Sequence, residues 1–396
     1  MAADKASPEA QLHWLALHLT PGLGARNAYR LVQIFGHPER VLHASASELH
    51  AAVPRLPKAV VSSVEAGIAF EDAAVEMRKA EAAGIEIIPT QDPRYPERLK
   101  EIDDPPILLY ALGRTELLGA ASVAVVGTRR PTPYGRAVSE RLTRDLVELG
   151  VTHVSGMARG IDACSHRGAL EAGGDTVAVL GTGVDRPYPR ENEKIYREIV
   201  KRGLVISQFR LGETPFAQNF PKRNRIISGM SLGTLVVEGA QYSGSLITAR
   251  LAMEQNREVM AIPGPITSKP SWGPNLLIKD GAKLVQEAAD ILEELPLEVR
   301  LNLRPRMAAA MAAGDEQTGL GERADGQSQA SMDMISAAGR KVFRVLRVDE
   351  AVHIDAIIRE CVDEPAAEVL AALSELELFG GVKQMPGKYF VRTWND

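Results

Sequence analysis

The chain has 396 residues, 45% of them hydrophobic and 24% charged, with a formal net charge of −5. That length exceeds what one core usually supports, so two or three domains are expected, with ample apolar material for a sizeable core. No apolar run reaches transmembrane length, the start Met1-Ala2-Ala3-Asp4-Lys5 lacks a secretory layout, and Cys164 and Cys361 lie far apart without metal-ligand spacing. These features argue against a membrane span, a disulfide framework and a zinc site, and make the cytoplasm the expected compartment.

The first expected elements are helices. From Gln11 to Val64 apolar residues recur at helical spacing, and the turn Pro21-Gly22-Leu23-Gly24 separates a segment around Trp14–Leu17 from one at Ala28–Phe35. Ser45 with Glu48 fits a capping box that starts another helix. Residues 1–75 therefore read as a small helical domain. Two glycines in a helix–helix turn suit either a SAM or helix-hairpin-helix module, whose hairpin amides touch phosphate, or a plain connection in a packing module.

Between Gly119 and Leu295 short apolar runs alternate with helical segments: Ser122–Val126, Val151–Val154, Thr176–Leu180, Leu204–Ile206, Thr234–Val237 and Glu258–Ile262. Near-continuous Val/Ile/Leu strands separated by helices specify a parallel sheet covered on both faces. The expected fold class for residues 76–297 is thus α/β, a Rossmann-like, doubly wound, mostly parallel sheet. Ligands of such sheets gather outside the carboxyl ends of the strands.

The strand-end loops are rich in small residues. Gly127-Thr128-Arg129-Arg130 follows the first of these strands, and Ser155-Gly156-Met157-Ala158-Arg159-Gly160-Ile161-Asp162 closes the second. Gly181-Thr182-Gly183 and Tyr188-Pro189-Arg190 follow the third, and Ser243-Gly244-Ser245 follows the fifth. Glycines let backbone approach a ligand, and amides at helix starts favour anions. No GxGxxG is present and no acidic residue ends the second strand, so a dinucleotide cofactor is not expected, nor any other cofactor or metal. Asp162 is placed to cap the helix carrying His166; the pair stands one turn apart, which also fits an acid/base or metal pair.

The run Phe220-Pro221-Lys222-Arg223-Asn224-Arg225 packs three cations into four residues. By itself it reads as a solvated charge run, as arginines paired with carboxylates inside the fold, or as a phosphate-contacting loop. Its setting favours phosphate: residues 121–264 carry 19 Lys plus Arg against 14 Asp plus Glu, so the net-basic part of an acidic chain coincides with these loops. Walker A, GxSxG, HExxH and suitably spaced carboxylate pairs are all missing, so no catalytic residue is assigned.

Residues 298–333 turn to Ala/Met and then polar residues, which reads as a flexible linker. Residues 334–396 then offer three helical segments and two short strands around Pro386-Gly387, the order of a winged helix. The third of these helices, Pro365–Glu377, carries three Glu and no Lys or Arg. Facing a major groove it would be repelled, so this module is expected to contact protein.

Taken in order, the motifs Gly127-Thr128-Arg129, Ser155–Asp162, Gly181-Thr182-Gly183, Tyr188-Pro189, Phe220–Gly229, Ser243–Arg250, Pro263-Gly264 and Asn275–Ala282 closely resemble the bacterial DNA-processing family called DprA or Smf. The resemblance implies a non-enzymatic single-stranded-DNA binder that protects incoming DNA in natural transformation and loads the recombinase RecA. It also implies a homodimer formed through the Rossmann-like domain. The DNA-binding residues expected on this basis are Gly127, Thr128, Arg129, Arg130, Gly156, Arg159, Arg190, Phe220, Lys222, Arg223, Asn224, Arg225, Ser243, Gly244 and Ser245. Gln208 departs from the family, which usually carries Glu there. The alternative is a nucleotide-processing enzyme of phosphoribohydrolase type on a related fold, for which Gly233-Thr234 and Glu238 form the nearest equivalent of a catalytic motif that here lacks its Pro-Gly-Gly.

Overall fold

A computed structural model describes residues 7–303, 336–346, 351–361, 364–378, 381–385 and 387–392. Six helices open the chain: α1 (Pro8–Leu19), α2 (Ala25–Phe35), α3 (Pro38–Leu42), α4 (Ala46–Ala52), α5 (Lys58–Glu65) and α6 (Phe70–Ala82). The Ser45–Glu48 capping box is formed, with each partner bonding the other's backbone N–H. Trp14, Leu15, Leu17 and Leu31 are fully buried, in one continuous cluster with Ile87, Tyr110, Leu180 and Val205 of the sheet domain. The helical unit and the sheet therefore share a core, and a boundary drawn at residues 75 and 76 falls inside α6.

Nine strands form the central sheet in the order β1-β2-β6-β5-β4-β3-β7-β8-β9. They are β1 (Glu86–Pro89), β2 (Leu108–Gly113), β3 (Ser122–Val126), β4 (Thr152–Ser155), β5 (Thr176–Val179), β6 (Leu204–Ser207), β7 (Gly233–Val236), β8 (Glu258–Ala261) and β9 (Lys283–Leu284). From β6 across to β9 every pairing is parallel; β2 joins β6, and β1 joins β2, antiparallel. All residues of β3, β4, β5, β6 and β7 are buried, as sheets covered on both faces require. The six strands expected between Gly119 and Leu295 are present, whereas β1, β2 and β9 extend the sheet at its two ends beyond what the periodicity discloses. Chain order reverses at β3, which has β4 on one side and β7 on the other.

The crossover helices that matter for the site are α8 (Pro133–Glu148), α9 (Ile161–Glu171), α11 (Asn219–Met230) and α12 (Gly244–Glu254), with α7 (Glu97–Lys100) before them and α10 (Glu193–Arg202) between α9 and α11. Helices α13 (Trp272–Lys279) and α14 (Ala288–Glu293) close the domain. Residues 297–303 are helical and Leu303 is buried beside Val138 and Leu235, so the expected linker begins too early at residue 298. Most of the remainder, residues 304–335, lies outside the described residues.

The C-terminal module has α15 (Ala337–Val345), α16 (Ile354–Glu360) and α17 (Ala366–Leu378), with a three-stranded sheet ordered β10-β12-β11. β11 (Val382–Met385) and β12 (Tyr389–Arg392) form the expected hairpin, and β10 (Val352–His353) pairs with β12. Val342, Phe343, Ile357, Leu373, Leu376 and Phe390 make its own core. Both cysteines are free and buried. Among the described residues no helix is long and apolar enough to cross a membrane.

Candidate nucleic-acid interface

The carboxyl ends of β3, β4 and β5 open into one narrow cleft of about 30 Å³, room for roughly two waters. Its wall is built by the loops after those strands and by the start of α11. The loops after β3 and β4 are locked together: Ile161 donates its backbone N–H to the Thr128 carbonyl at 3.2 Å, and Gly160 adopts φ +78° where a Cβ would stand 2.3 Å from that same oxygen. Only glycine suits Gly160, which also serves as the N-cap of α9. That corrects the expectation for Asp162. It sits one residue inside the helix, buried, where its carboxylate accepts the Ala158 N–H at 3.2 Å and so holds the loop.

The basic run is the largest correction. Phe220 to Arg225 form the first turns of α11, with Pro221 in the first turn where its missing N–H costs nothing. Helical spacing divides the cations. Lys222 is exposed and Arg223 and Arg225 are buried, at 4% and 6% exposure. Arg223 runs under the cleft and donates to the Gly156 and Val179 carbonyls. A Cβ on Gly156 would lie 2.6 Å from its guanidinium, so the close approach demands glycine. Burial lowers the Arg223 pKa to about 10 against the favourable charge of Asp162, and it remains a cation at neutral pH. Burial in turn raises the Asp162 carboxyl, which Arg223 opposes. Arg225 points elsewhere: it donates to Gln208 Oε1 and to the Asp104 carbonyl, and its Nε lies 3.3 Å from the Asp104 carboxylate. It is a structural cation rather than one wall of a groove. The Gln208 departure is thereby absorbed, since an amide oxygen accepts from Arg225 while Asp104 supplies the charge.

Phe220 is half-buried. Its ring packs on Gly181, where a Cβ would come within 3.0 Å, and faces the guanidiniums of exposed Arg129 at 5.7 Å and of Arg223 at 5.9 Å. Tyr188, 39% exposed, lies against it with ring centroids 5.6 Å apart. Arg159 is exposed and also lines the cleft. Arg190 is exposed one residue beyond Pro189, a lining residue, and Arg130 is exposed beside Arg129. Thr128 accepts the Arg130 N–H at 3.2 Å and so shapes the turn that presents Arg129. Half-buried Asn224 accepts from Arg223 Nε at 3.1 Å. Gly127 sits at the mouth of β3, with Ile161 where a Cβ would go.

Ser243, Gly244 and Ser245 fall on the other side of β3, at the start of α12, and do not line the cleft. Their hydroxyls bond each other at 2.7 Å above Gly239. Nearby Glu238 is buried and its carboxylate is taken by the Thr132 N–H at 2.9 Å and the Thr132 hydroxyl at 2.5 Å. Gly135 lies against this pair, where a Cβ would come within 2.4 Å of the Glu238 carboxylate. His166 does not pair with Asp162; its Nδ1 meets Thr176 Oγ1 at 2.7 Å, and His153 Nδ1 meets the same oxygen at 2.8 Å. Among the described residues no cluster of three or more His, Cys, Asp or Glu is arranged to hold a metal.

Residues 86–296 match the family described as DNA recombination-mediator protein A, and residues 327–388 match the DprA winged helix domain. The chain belongs to the DNA recombination-mediator protein A family. It is 38% identical over 304 residues to Protein Smf of Escherichia coli (strain K12), covering 76% of each chain. It is 44% identical over 214 residues to the DNA processing protein DprA of Bacillus subtilis (strain 168), covering 54% of this chain and 72% of that one. The X-ray structure of DprA from Streptococcus pneumoniae superposes with a TM-score of 0.64 at 35% identity, over 72% of this chain and 98% of the other. Membership agrees with the expected resemblance, with the mostly parallel sheet and with the winged helix. Tyr188, Pro189, Ala158 and Gly181 also line the cleft although the motif reading gave them no contact; the signal available was the aromatic-proline pair in the third loop.

Proposed function

We propose that this chain is a single-stranded-DNA-binding recombination mediator that protects incoming DNA in natural transformation and loads the RecA recombinase onto it. On this reading it works in the cytoplasm as a homodimer through the Rossmann-like domain, and it breaks no bond. The observation that carries the DNA-binding part is the make-up of the cleft: exposed Arg129 and Arg159 with Phe220 and Tyr188, over a floor of buried Arg223, and no carboxylate in its lining. Cations beside aromatic faces hold phosphates and stack bases without reading sequence, and base faces are free only in a single strand. Lys222, exposed on the first turn of α11, extends the positive rim. Family membership supports the mediator role.

The winged helix is proposed to contact protein. Glu368 and Glu377 are exposed on α17, with Leu370 46% exposed on the same helix, a surface that duplex phosphates would repel.

Anisotropy titrations with matched single- and double-stranded oligonucleotides over a salt series test the cleft. Arg129→Ala is expected to weaken single-strand binding about tenfold and to flatten the logarithmic salt slope by about 0.7, the share of one phosphate contact. Lys222→Ala is expected to act in the same direction. Equal binding by wild type and both variants sinks the assignment.

A further inference from the structure

The geometry points to Glu191 as an internal stand-in for a DNA phosphate, occupying Arg159 in the free protein and releasing it when the strand binds. This rests on the single-strand reading of the cleft and adds a regulating residue to it. Arg159 Nε and Nη2 donate to the two Glu191 oxygens at 2.5 and 2.8 Å, a two-pronged pairing of the kind a guanidinium also offers to phosphate. The side chains are 59% and 62% exposed, so a strand lying over the cleft reaches both. Exposed pairs of this kind are weak, so exchanging the carboxylate for a phosphate is cheap.

Arg159 differs in this from the other exposed cations of the site. Arg129 faces the Phe220 ring, and among the described residues neither it nor Lys222 has a carboxylate at ion-pair distance, Asp162 acting on Arg129 only through longer-range attraction. The ion pair also ties together two segments at the cleft. Ala158 and Arg159 line it from the loop after β4, and Tyr188 and Pro189 line it just ahead of the turn Arg190–Asn192 that holds Glu191. The turn does not depend on the pair for its position: buried Asn192 donates its Nδ2 to the Met157 carbonyl at 2.9 Å and the Ala158 carbonyl at 3.1 Å. Removing the Glu191 charge therefore leaves the turn anchored and frees Arg159.

The test is a double-mutant cycle on the full chain, reading the affinity for a labelled oligothymidylate at fixed moderate salt, with thermal unfolding as a check on folding. Glu191→Gln is expected to tighten binding about two- to fivefold, the range set by the weak strength of an exposed pair. Arg159→Ala is expected to weaken binding, and Glu191→Gln added to it is expected to change nothing further. An equal gain in both backgrounds overturns the proposal, because Glu191 would then act only as a distant negative charge. No gain in either background overturns it as well. Should the wild type itself fail to bind the oligonucleotide, the single-strand reading falls and this inference falls with it; a normal wild type with an inert Glu191→Gln removes this inference alone.

Discussion

The carboxyl edge of the sheet uses the same small polar residue types in two places, with opposite results. Over β3, β4 and β5 the glycines admit Arg223 from below and Phe220 from the side, and Arg129, Arg159 and Lys222 remain at the surface. Over β7 the glycines and hydroxyls are spent on one another: Glu238 on Thr132, Ser243 on Ser245. A loop rich in Gly, Ser and Thr at a strand end therefore does not define a ligand site. What defines one is polar capacity left over after the fold has satisfied its own groups.

Removing the floor of the open edge should have the largest effect. Arg223 is a buried cation whose guanidinium answers two backbone carbonyls, so Arg223→Ala leaves both acceptors dry and Asp162 without its nearest opposite charge. Breaking a buried charged network in this way costs about 3–5 kcal/mol, measurable as a lower midpoint in urea unfolding. Arg223→Lys keeps the charge without the fork and should recover only part of that loss. A variant that unfolds like wild type but no longer binds DNA would show instead that Arg223 is a direct ligand, and the division between floor and rim would fail.

The same floor predicts an acid limit. His153 and His166 are buried under the sheet, share the Thr176 hydroxyl, and have no partner for either Nε2. Burial holds His166 down at about 3, helped by the Arg223 charge, and holds His153 well below its ordinary range, helped by His166. Both are neutral in the native state and titrate near 6.5 when unfolded, so their contribution is complete above that pH. Below it the unfolded chain binds protons the native one refuses, and stability falls by up to about 1.4 kcal/mol per pH unit for each histidine, down to the native values. Asp162, whose carboxyl is raised by burial, acts in the opposite sense and offsets part of the loss. Unfolding curves between pH 7 and 4 should show the slope, and a His153→Gln/His166→Gln variant should flatten it to the share of His18, whose pKa burial also lowers, to about 4; an unchanged slope would mean other groups dominate.

The architecture could be read from the sequence where burial forces a simple period. Six strands of Val, Ile, Leu and Ala, the Ser45–Glu48 cap and the winged-helix order all follow from local pattern, because tertiary packing there agrees with local preference. Of the strands that escaped, Lys283–Leu284 is only two residues long, too short to show a period, while β1 and β2 join antiparallel, outside the alternation of parallel strands and helices. At the site the charges of the basic run masked its helical spacing: Arg223, Ile226, Ile227 and Met230 recur every three to four residues and are all buried. Charge density grouped Arg225 with Lys222 and Arg223 as one wall of a groove, because its partners Asp104 and Gln208 stand far off in the sequence.

The smallest expected effect tests the closed edge. Ser243 and Ser245 belong to the same class of small hydroxyl residues that mark phosphate-binding helix starts, and α12 begins at that point. Their hydroxyls, however, bond each other, with Ser245 buried and Ser243 half-buried. Replacing both members of such a pair removes donor and acceptor together, so neither is left unpaired, and the cost should stay under about 1 kcal/mol. A Ser243→Ala/Ser245→Ala variant is therefore expected to unfold almost like wild type and to bind single-stranded DNA within about twofold of it, since neither hydroxyl lines the cleft. A severalfold loss of affinity with unchanged stability would extend the groove across β3 to the start of α12. In that case the strand would cross the sheet edge from β5 to β7, and the bonded serines would have to open to receive it.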